Sequence, residues 1–210
     1  MSYAVKEIFY TLQGEGRQAG RAAVFCRFAG CNLWSGREAD RPAAACPFCD
    51  TDFVGLDGPG GGRFPSAEAL AEAIEAAWTG GPERRLTVLT GGEPLLQVDE
   101  ALVAALHARG FEIAVETNGT VAAPAGLDWI CVSPKGAAPL VQGAGDELKL
   151  VFPQPAAMPE RFADLPFAHF ILQPMDGPDQ AAHTAAAVRY CMAHPRWRLG
   201  LQTHKVLGIA

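Results

Sequence analysis

The sequence predicts an α/β fold, a partial TIM-like barrel with six mostly parallel strands and few covering helices. Apolar runs of strand length alternate along the chain with segments of helical period, the pattern of parallel βα units rather than of a β-sandwich. The chain has 210 residues, whereas a complete eight-stranded α/β barrel takes about 250. The shorter length favours a barrel that stops before it closes.

Six apolar runs are bounded by turn-forming residues and have the length of strands. These predicted strands are Ala23–Phe28, Leu86–Thr90, Phe111–Glu116, Trp129–Val132, Glu147–Phe152 and His169–Leu172. The link from the fourth to the fifth, Ser133–Asp146, is rich in proline and glycine and is expected to be a loop.

Three helices are expected between the strands. Ser66 can cap the first, whose apolar side chains recur at four-residue spacing from Leu70. Asp99 can cap the second, and Gly110 ends it. The third covers Gln180–Met192.

Composition indicates one domain, residues 1–210, that binds small molecules. With 49% hydrophobic and 19% charged residues the chain can bury a sizeable core. It contains no apolar run of the ~18 residues that a membrane span needs. The net charge of −6 argues against nonspecific nucleic-acid binding. No secretion signal opens the sequence, so we expect a cytoplasmic protein.

Three cysteines in one segment are the strongest functional signal. Two residues separate Cys46 from Cys49, and Cys31 precedes them by a longer loop. No fourth cysteine or histidine follows at metal-ligand spacing, whereas a closed zinc site has four protein ligands. The incomplete set predicts an iron–sulfur cluster with one iron free to bind another molecule.

Other interpretations of these cysteines remain open. The pair Cys46 and Cys49 is compatible with a redox dithiol, and the set is compatible with structural zinc that has an unrecognised fourth ligand. Disulfides are disfavoured because six cysteines are sparse for a secreted scaffold of this length. The remaining cysteines, Cys26, Cys131 and Cys191, have apolar neighbours and are expected to be buried.

Polar motifs follow four of the predicted strands. They are Thr90–Pro94 (TGGEP), Glu116–Gly119 (ETNG), Ser133–Lys135 (SPK) and Gln173–Asp176 (QPMD). Glycine pairs and Asn-Gly are ordinary turn formers when they occur singly. Four such ends, together with a cysteine loop after the first strand, predict one shared site, because ligands collect at the carboxyl ends of parallel strands.

These motifs resemble those of the radical S-adenosylmethionine (SAM) enzymes. Together with Leu12–Gly16 (LQGEG) and the Cys-Asp-Thr that ends at Thr51, they resemble the 7-carboxy-7-deazaguanine synthase family of the queuosine pathway over nearly the whole chain. One departure concerns the cysteines. Most of the superfamily spaces them three and then two residues apart, whereas fourteen residues separate Cys31 from Cys46.

The resemblance implies a 4Fe–4S cluster held by Cys31, Cys46 and Cys49, whose open iron binds SAM and cleaves it to a 5′-deoxyadenosyl radical. Gly92 is expected to leave room for the methionine amino group of SAM. The other residues implied for SAM are Phe48, Cys49, Asp50, Glu116, Ser133, Pro134, Lys135, Gln173, Pro174, Met175 and Asp176.

By the same resemblance the substrate is 6-carboxy-5,6,7,8-tetrahydropterin, whose ring contracts with loss of ammonia. The residues implied to bind it are Leu12, Gln13, Gly14, Glu15, Arg27, Thr90, His204 and Ala210. Thr51 is expected to bind Mg²⁺ together with the substrate carboxylate, with Asp50 helping through water. A bond from the Thr51 hydroxyl to backbone is the alternative.

The resemblance also implies a reductant protein such as flavodoxin, and the exposed sheet edges of a partial barrel favour a homodimer. Two alternative functions stay open. One is an activating enzyme that acts on a glycyl-radical protein, and the other is a non-catalytic zinc-binding module.

Overall fold

The computed structural model describes residues 2–209, and these contain nine strands in a single sheet. All six predicted strands are present. The strands are β1 (Tyr3–Leu12), β2 (Ala22–Phe28), β3 (Gly62–Phe64), β4 (Leu86–Gly91), β5 (Glu112–Thr117), β6 (Trp129–Val132), β7 (Gly145–Phe152), β8 (Phe167–Pro174) and β9 (Trp197–Leu199).

The sheet is a mostly parallel, open barrel, which confirms the predicted fold class. Its strand order is β3-β1-β2-β4-β5-β6-β7-β8-β9. Every pair from β2 to β9 is parallel, while β1 is antiparallel to both β2 and β3. Within residues 2–209 the end strands β3 and β9 do not pair with each other, so the barrel stays open.

The predicted number of strands was too low, for two physical reasons. Strand β1 carries the charged residues Lys6 and Glu7 at its centre, so it lacks a continuous apolar run. Strands β3 and β9 have three residues each, shorter than the usual five or six. All three lie on the flanks of the six-stranded core.

The predicted helices are present, and a short fourth one follows them. They are α1 (Ala67–Ala77), α2 (Glu100–His107), α3 (Gln180–Ala193) and α4 (Thr203–Leu207). Ser66 and Asp99 cap α1 and α2 by accepting the backbone N–H of Ala69 and Leu102, as predicted. None of the helices described is long and apolar enough to cross a membrane.

Alternation along the strands separates the outer core from the barrel interior. On β4, Leu89 packs outward in the core that contains α1 and α2, whereas Leu86 and Val88 pack in a smaller cluster with Ala23 and Ala114. Thr90, two residues beyond Val88 on the same strand face, borders a cavity. The interior is therefore apolar at the amino ends of the strands and polar at their carboxyl ends.

The three cysteines outside the cysteine loop differ in burial. Cys26 and Cys131 are fully buried, as predicted. The prediction was wrong for Cys191, which is only partly buried because it lies on α3, a helix with one buried residue.

Asp99 links α2 to the sheet, because it caps the helix and also accepts the Tyr3 hydroxyl at 2.7 Å. Asp99→Ala should therefore lower the free energy of unfolding by about 2–3 kcal/mol. It removes the cap of α2 and leaves the buried Tyr3 hydroxyl without its hydrogen-bond acceptor. The matched change Ser66→Ala removes only a cap and should cost about 1 kcal/mol. Urea unfolding measures both, and equal losses would contradict the structural role of the Tyr3 bond.

Candidate active site

The carboxyl ends of the parallel strands surround one cavity of 370 Å³. Most residues selected from the sequence line it: Leu12, Gln13, Gly14, Glu15, Arg27, Phe48, Cys49, Asp50, Thr51, Thr90, Gly92, Glu116, Ser133, Lys135, Gln173, Pro174, Met175, Asp176 and His204. Cys31, Cys46 and Pro134 are outside this lining, and Ala210 lies outside the described residues.

The three cysteines of the loop meet in one apolar cluster beside the cavity. Cys46 is buried there with Trp34 and Phe53, and Cys31 and Cys49 pack against the same cluster. A tight turn joins the closer pair, because the N–H of Cys49 donates to the carbonyl of Cys46 at 3.1 Å. Folding thus brings together three thiols that are widely spaced in sequence.

Arg41 fixes the path of the fourteen-residue segment between Cys31 and Cys46. Its guanidinium donates to the carbonyls of Pro47 and Cys49, both at 2.8 Å. It also lies 4.1 Å from the centre of the Trp34 ring and pairs with Glu38. This fourteen-residue segment is therefore folded back onto the turn that carries Cys46 and Cys49.

The environment of the thiols favours the thiolate, the form that binds metal, at Cys49 only, because burial raises the pKa of Cys31. The Cys46 thiol donates to the sulfur of Cys49, which lowers the pKa of Cys49 to about 6 and raises the pKa of Cys46. The ammonium of Lys135 acts to lower the pKa of both thiols. Lys135 itself donates to the hydroxyl of Ser133 at 2.7 Å and lies 5.8 Å from the centre of the Phe48 ring.

Glu93, in the motif that ends β4, ties that strand to the end of β5. Its fully buried carboxyl accepts the Thr117 hydroxyl and the N–H of Asn118, both at 2.7 Å. Burial raises the pKa of Glu93, although these hydrogen bonds oppose the effect. The carboxyl group therefore sets the relative position of two strand ends and does not line the cavity.

Gly92 has a structural role within the protein in addition to the contact with SAM that the sequence predicts. A Cβ atom at this position would collide with the carbonyl oxygen of Gly30 and come within 2.7 Å of the Cβ of Cys31. The missing side chain thus lets the cysteine loop approach the end of β4. Gly92 also lines the cavity, so its expected contact with SAM stays a prediction beside this contact within the protein.

A buried lysine, Lys149, lies between two carboxylates at the cavity. Its ammonium is 2.6 Å from Glu15 and 2.9 Å from Glu116, and its side chain is 5% exposed. Burial alone raises the pKa of Glu15, but the charge and hydrogen bond of Lys149 outweigh it and lower this pKa to about 2. Glu15 is therefore ionised across the physiological pH range.

Aromatic and charged residues of β1 and β2 form another part of the wall. Phe9 and Phe25 stack with their ring centres 5.5 Å apart. Beside them Arg27 donates through Nε to Glu7 at 2.8 Å. Among the described residues, only this nitrogen of the Arg27 guanidinium has a hydrogen-bond partner, so its two terminal nitrogens remain available to an anion.

The segment around α4 folds over the cavity mouth. Thr203 donates from both its N–H and its hydroxyl to the carbonyl of Gly14. Lys205 bridges Asp50 at 2.7 Å and Asp176 at 2.6 Å. His204 lies so close to Gly14 that a Cβ atom there would collide with it. The cysteine loop, the end of β8 and the carboxyl-terminal segment thus meet at the mouth.

Comparison with known proteins identifies the family. The radical SAM superfamily model matches residues 41–146. The chain is 71% identical over 209 residues to a 7-carboxy-7-deazaguanine synthase of Caulobacter vibrioides and 68% identical over 209 residues to one of Bordetella pertussis, with 100% of both chains covered in each case. The chain belongs to the 7-carboxy-7-deazaguanine synthase family. Its fold matches the crystal structure of QueE from Escherichia coli with a TM-score of 0.71 and 27% identity, over 96% of this chain and 94% of that one.

Membership of the radical SAM superfamily implies a 4Fe–4S cluster and SAM, and the donor atoms of this synthase-family chain suit both. Among residues 2–209, no three His, Cys, Asp or Glu side chains converge on a single metal ion. In a cluster each cysteine binds a different iron, so neighbouring thiols are the appropriate arrangement. For SAM, the Oε1 atom of Gln173 is buried at the cavity without a hydrogen-bond partner, and a ligand donor would satisfy it.

Sequence reasoning missed several residues of the synthase-family cavity, which are Glu7, Phe9, Phe25, Asp52, Lys149, Val151, Gln202 and Lys205. Lys149 carried a usable signal, because a charged residue inside a strand expected to be buried needs a partner. Phe9 belongs to β1, which was not predicted. Gln202 and Lys205 follow the last predicted helix, where no motif marked them.

The Gly92 contact predicts that an added methyl group disturbs the cysteine loop. Gly92→Ala should lower the free energy of unfolding by about 1–3 kcal/mol through overpacking, and it should reduce the iron content after anaerobic reconstitution. Gly143→Ala is the matched control, because nothing lies within 4 Å of a Cβ at Gly143. Full iron content in Gly92→Ala, with only SAM binding lost, would contradict the contact with the loop.

Proposed function

We propose that the chain converts 6-carboxy-5,6,7,8-tetrahydropterin to 7-carboxy-7-deazaguanine with loss of ammonia. The observation that carries the proposal is the meeting of three thiols with a polar cavity, in a chain 71% identical to a protein named 7-carboxy-7-deazaguanine synthase. When bound, the cluster and SAM supply a radical that removes a hydrogen atom from the substrate. The continuous sheet supports a single domain that holds all the parts.

The residues of the chain bind and orient the two ligands. Cys31, Cys46 and Cys49 hold the cluster. The residues that bind SAM are Phe48, Cys49, Asp50, Gly92, Glu116, Ser133, Pro134, Lys135, Gln173, Pro174, Met175 and Asp176. The buried acceptor of Gln173 supports this assignment. Glu15 offers an ionised carboxylate to the polar ring edge of the pterin, and Arg27 offers a guanidinium to its carboxylate.

A Mg²⁺ ion at Thr51 is a further part of the proposal. Thr51 lines the cavity, and its hydroxyl makes no hydrogen bond within the described residues, which disfavours the alternative of a backbone cap. Mg²⁺ commonly keeps several waters and takes only one or two protein oxygens. The ion would bind with the substrate carboxylate and position the substrate.

Three proposals concern the surroundings of the enzyme. A reductant such as flavodoxin supplies electrons at the cysteine loop, where Pro42, Ala45 and Pro47 are exposed. A homodimer is supported by exposed apolar side chains such as Met192 and Val206. The cytoplasm is supported by six free cysteines, because such thiols persist in a reducing compartment.

The proposed reaction is tested by incubating reconstituted, reduced protein with SAM and the carboxytetrahydropterin, with mass spectrometry of the deazaguanine. The parent should form it, whereas Cys31→Ala, Cys46→Ala and Cys49→Ala should lose iron and all turnover. Cys191→Ala removes a cysteine from α3 and should retain both. Iron occupancy equal to the parent in Cys46→Ala would reject the ligand assignment, and an iron-loaded parent without product would reject the reaction.

The Mg²⁺ proposal is tested by measuring turnover across a Mg²⁺ titration. Thr51→Ala should need at least about tenfold more Mg²⁺ to reach half of its maximal rate, because an oxygen ligand is lost. Thr51→Ser keeps the hydroxyl and should titrate like the parent. If chelation leaves the parent rate unchanged and Thr51→Ala is equally active, no Mg²⁺ acts at this residue.

A further inference from the structure

Lys149 occupies the centre of a hydrogen-bonded network that reaches both proposed ligand sites. Its ammonium donates to the Oε2 atoms of Glu15 and Glu116. The second oxygen of each carboxylate is also used. Glu15 Oε1 accepts from Gln173 at 3.1 Å and from Gln202 at 2.9 Å, and Glu116 Oε1 accepts from Gln13 at 2.8 Å.

The members of this network come from distant parts of the chain. Gln13 and Glu15 follow β1, Glu116 belongs to β5, Lys149 to β7 and Gln173 to β8, and Gln202 precedes α4. All six line the same cavity. In the proposed function Glu15 serves the pterin, whereas Glu116 and Gln173 serve SAM. A single ammonium therefore connects the groups assigned to the two ligands.

The charges at this position require a cation. Two carboxylates with side chains only 16% and 22% exposed lie within 3 Å of the same nitrogen. Without that cation, burial and mutual repulsion would favour protonation or a change of rotamer in at least one carboxyl group. Either change would alter the hydrogen bonds that Gln13, Gln173 and Gln202 make to them. The ammonium thus decides which atoms the cavity presents to its ligands.

We propose that Lys149 is a positioning residue that orders the pterin site and the SAM site simultaneously. The inference rests on the proposed function. It gives Lys149 no step of its own in the reaction, because Lys149 acts through the carboxylates that it holds. Loss of Lys149 should weaken the binding of both ligands together, whereas loss of a residue that serves one site should weaken the binding of one ligand only.

The test measures binding of SAM and of the carboxytetrahydropterin to cluster-loaded, anaerobic protein by equilibrium dialysis. Lys149→Met keeps an unbranched chain without the charge and should weaken each ligand at least tenfold, with circular dichroism confirming the folded state. Arg21→Met is the control. Arg21 pairs with Glu112 at a distance of 2.6 Å, and neither residue lines the cavity. It should change neither affinity more than twofold.

Chemical rescue separates positioning from a merely structural role. In Lys149→Ala, propylammonium replaces the missing chain and charge, and it should restore both affinities at least fivefold. Propanol fills similar space without charge and should restore neither. Affinities equal to the parent in Lys149→Met, loss of one ligand only, or equal rescue by propanol would overturn the inference. A parent that binds SAM but forms no deazaguanine would instead reject the proposed function.

Discussion

The burial of charge at the carboxyl ends of the strands constrains the whole molecule. The carboxylates of Glu15 and Glu116 are accommodated inside the barrel because both pair with the ammonium of Lys149. Removing one partner of such a group leaves an uncompensated buried charge, which is far more costly than losing an exposed pair. The cavity therefore depends on the relative positions of β1, β5 and β7. Side chains of β1 and β5 pack in the core with α1 and α2, and side chains of β7 pack in a second core with α3.

A second constraint is the close approach of the cysteine loop to the sheet. The N–H of Glu93 donates to the carbonyl of Gly30 at 3.0 Å, and the absence of a side chain at Gly92 permits this approach. Glu93 in turn fastens the neighbouring strand end. The TGGEP motif thus joins the loop that carries the thiols to the wall of the cavity.

Much of this arrangement could be predicted from the sequence, since the signals are local. Apolar runs marked the six core strands, and Ser66 and Asp99 marked helix starts, because caps act within one helical turn. Strand-end motifs indicated the cavity because parallel strands place their ends on one side of a barrel. Strand β1 was missed since Lys6 and Glu7 interrupt its apolar run. Lys205 was missed because its partners, Asp50 and Asp176, are distant in sequence.

The most direct test of the site is whether SAM binds iron next to the three cysteines. If Cys31, Cys46 and Cys49 hold a cluster that opens onto the cavity, the carboxylate of bound SAM must lie within bonding distance of one iron. Electron–nuclear double resonance of the reduced protein with SAM labelled with ¹⁷O in its carboxylate measures this contact. A resolved ¹⁷O coupling that disappears without SAM is the expected result. A cluster spectrum that SAM leaves unchanged, with no ¹⁷O coupling, would contradict the assignment of the site.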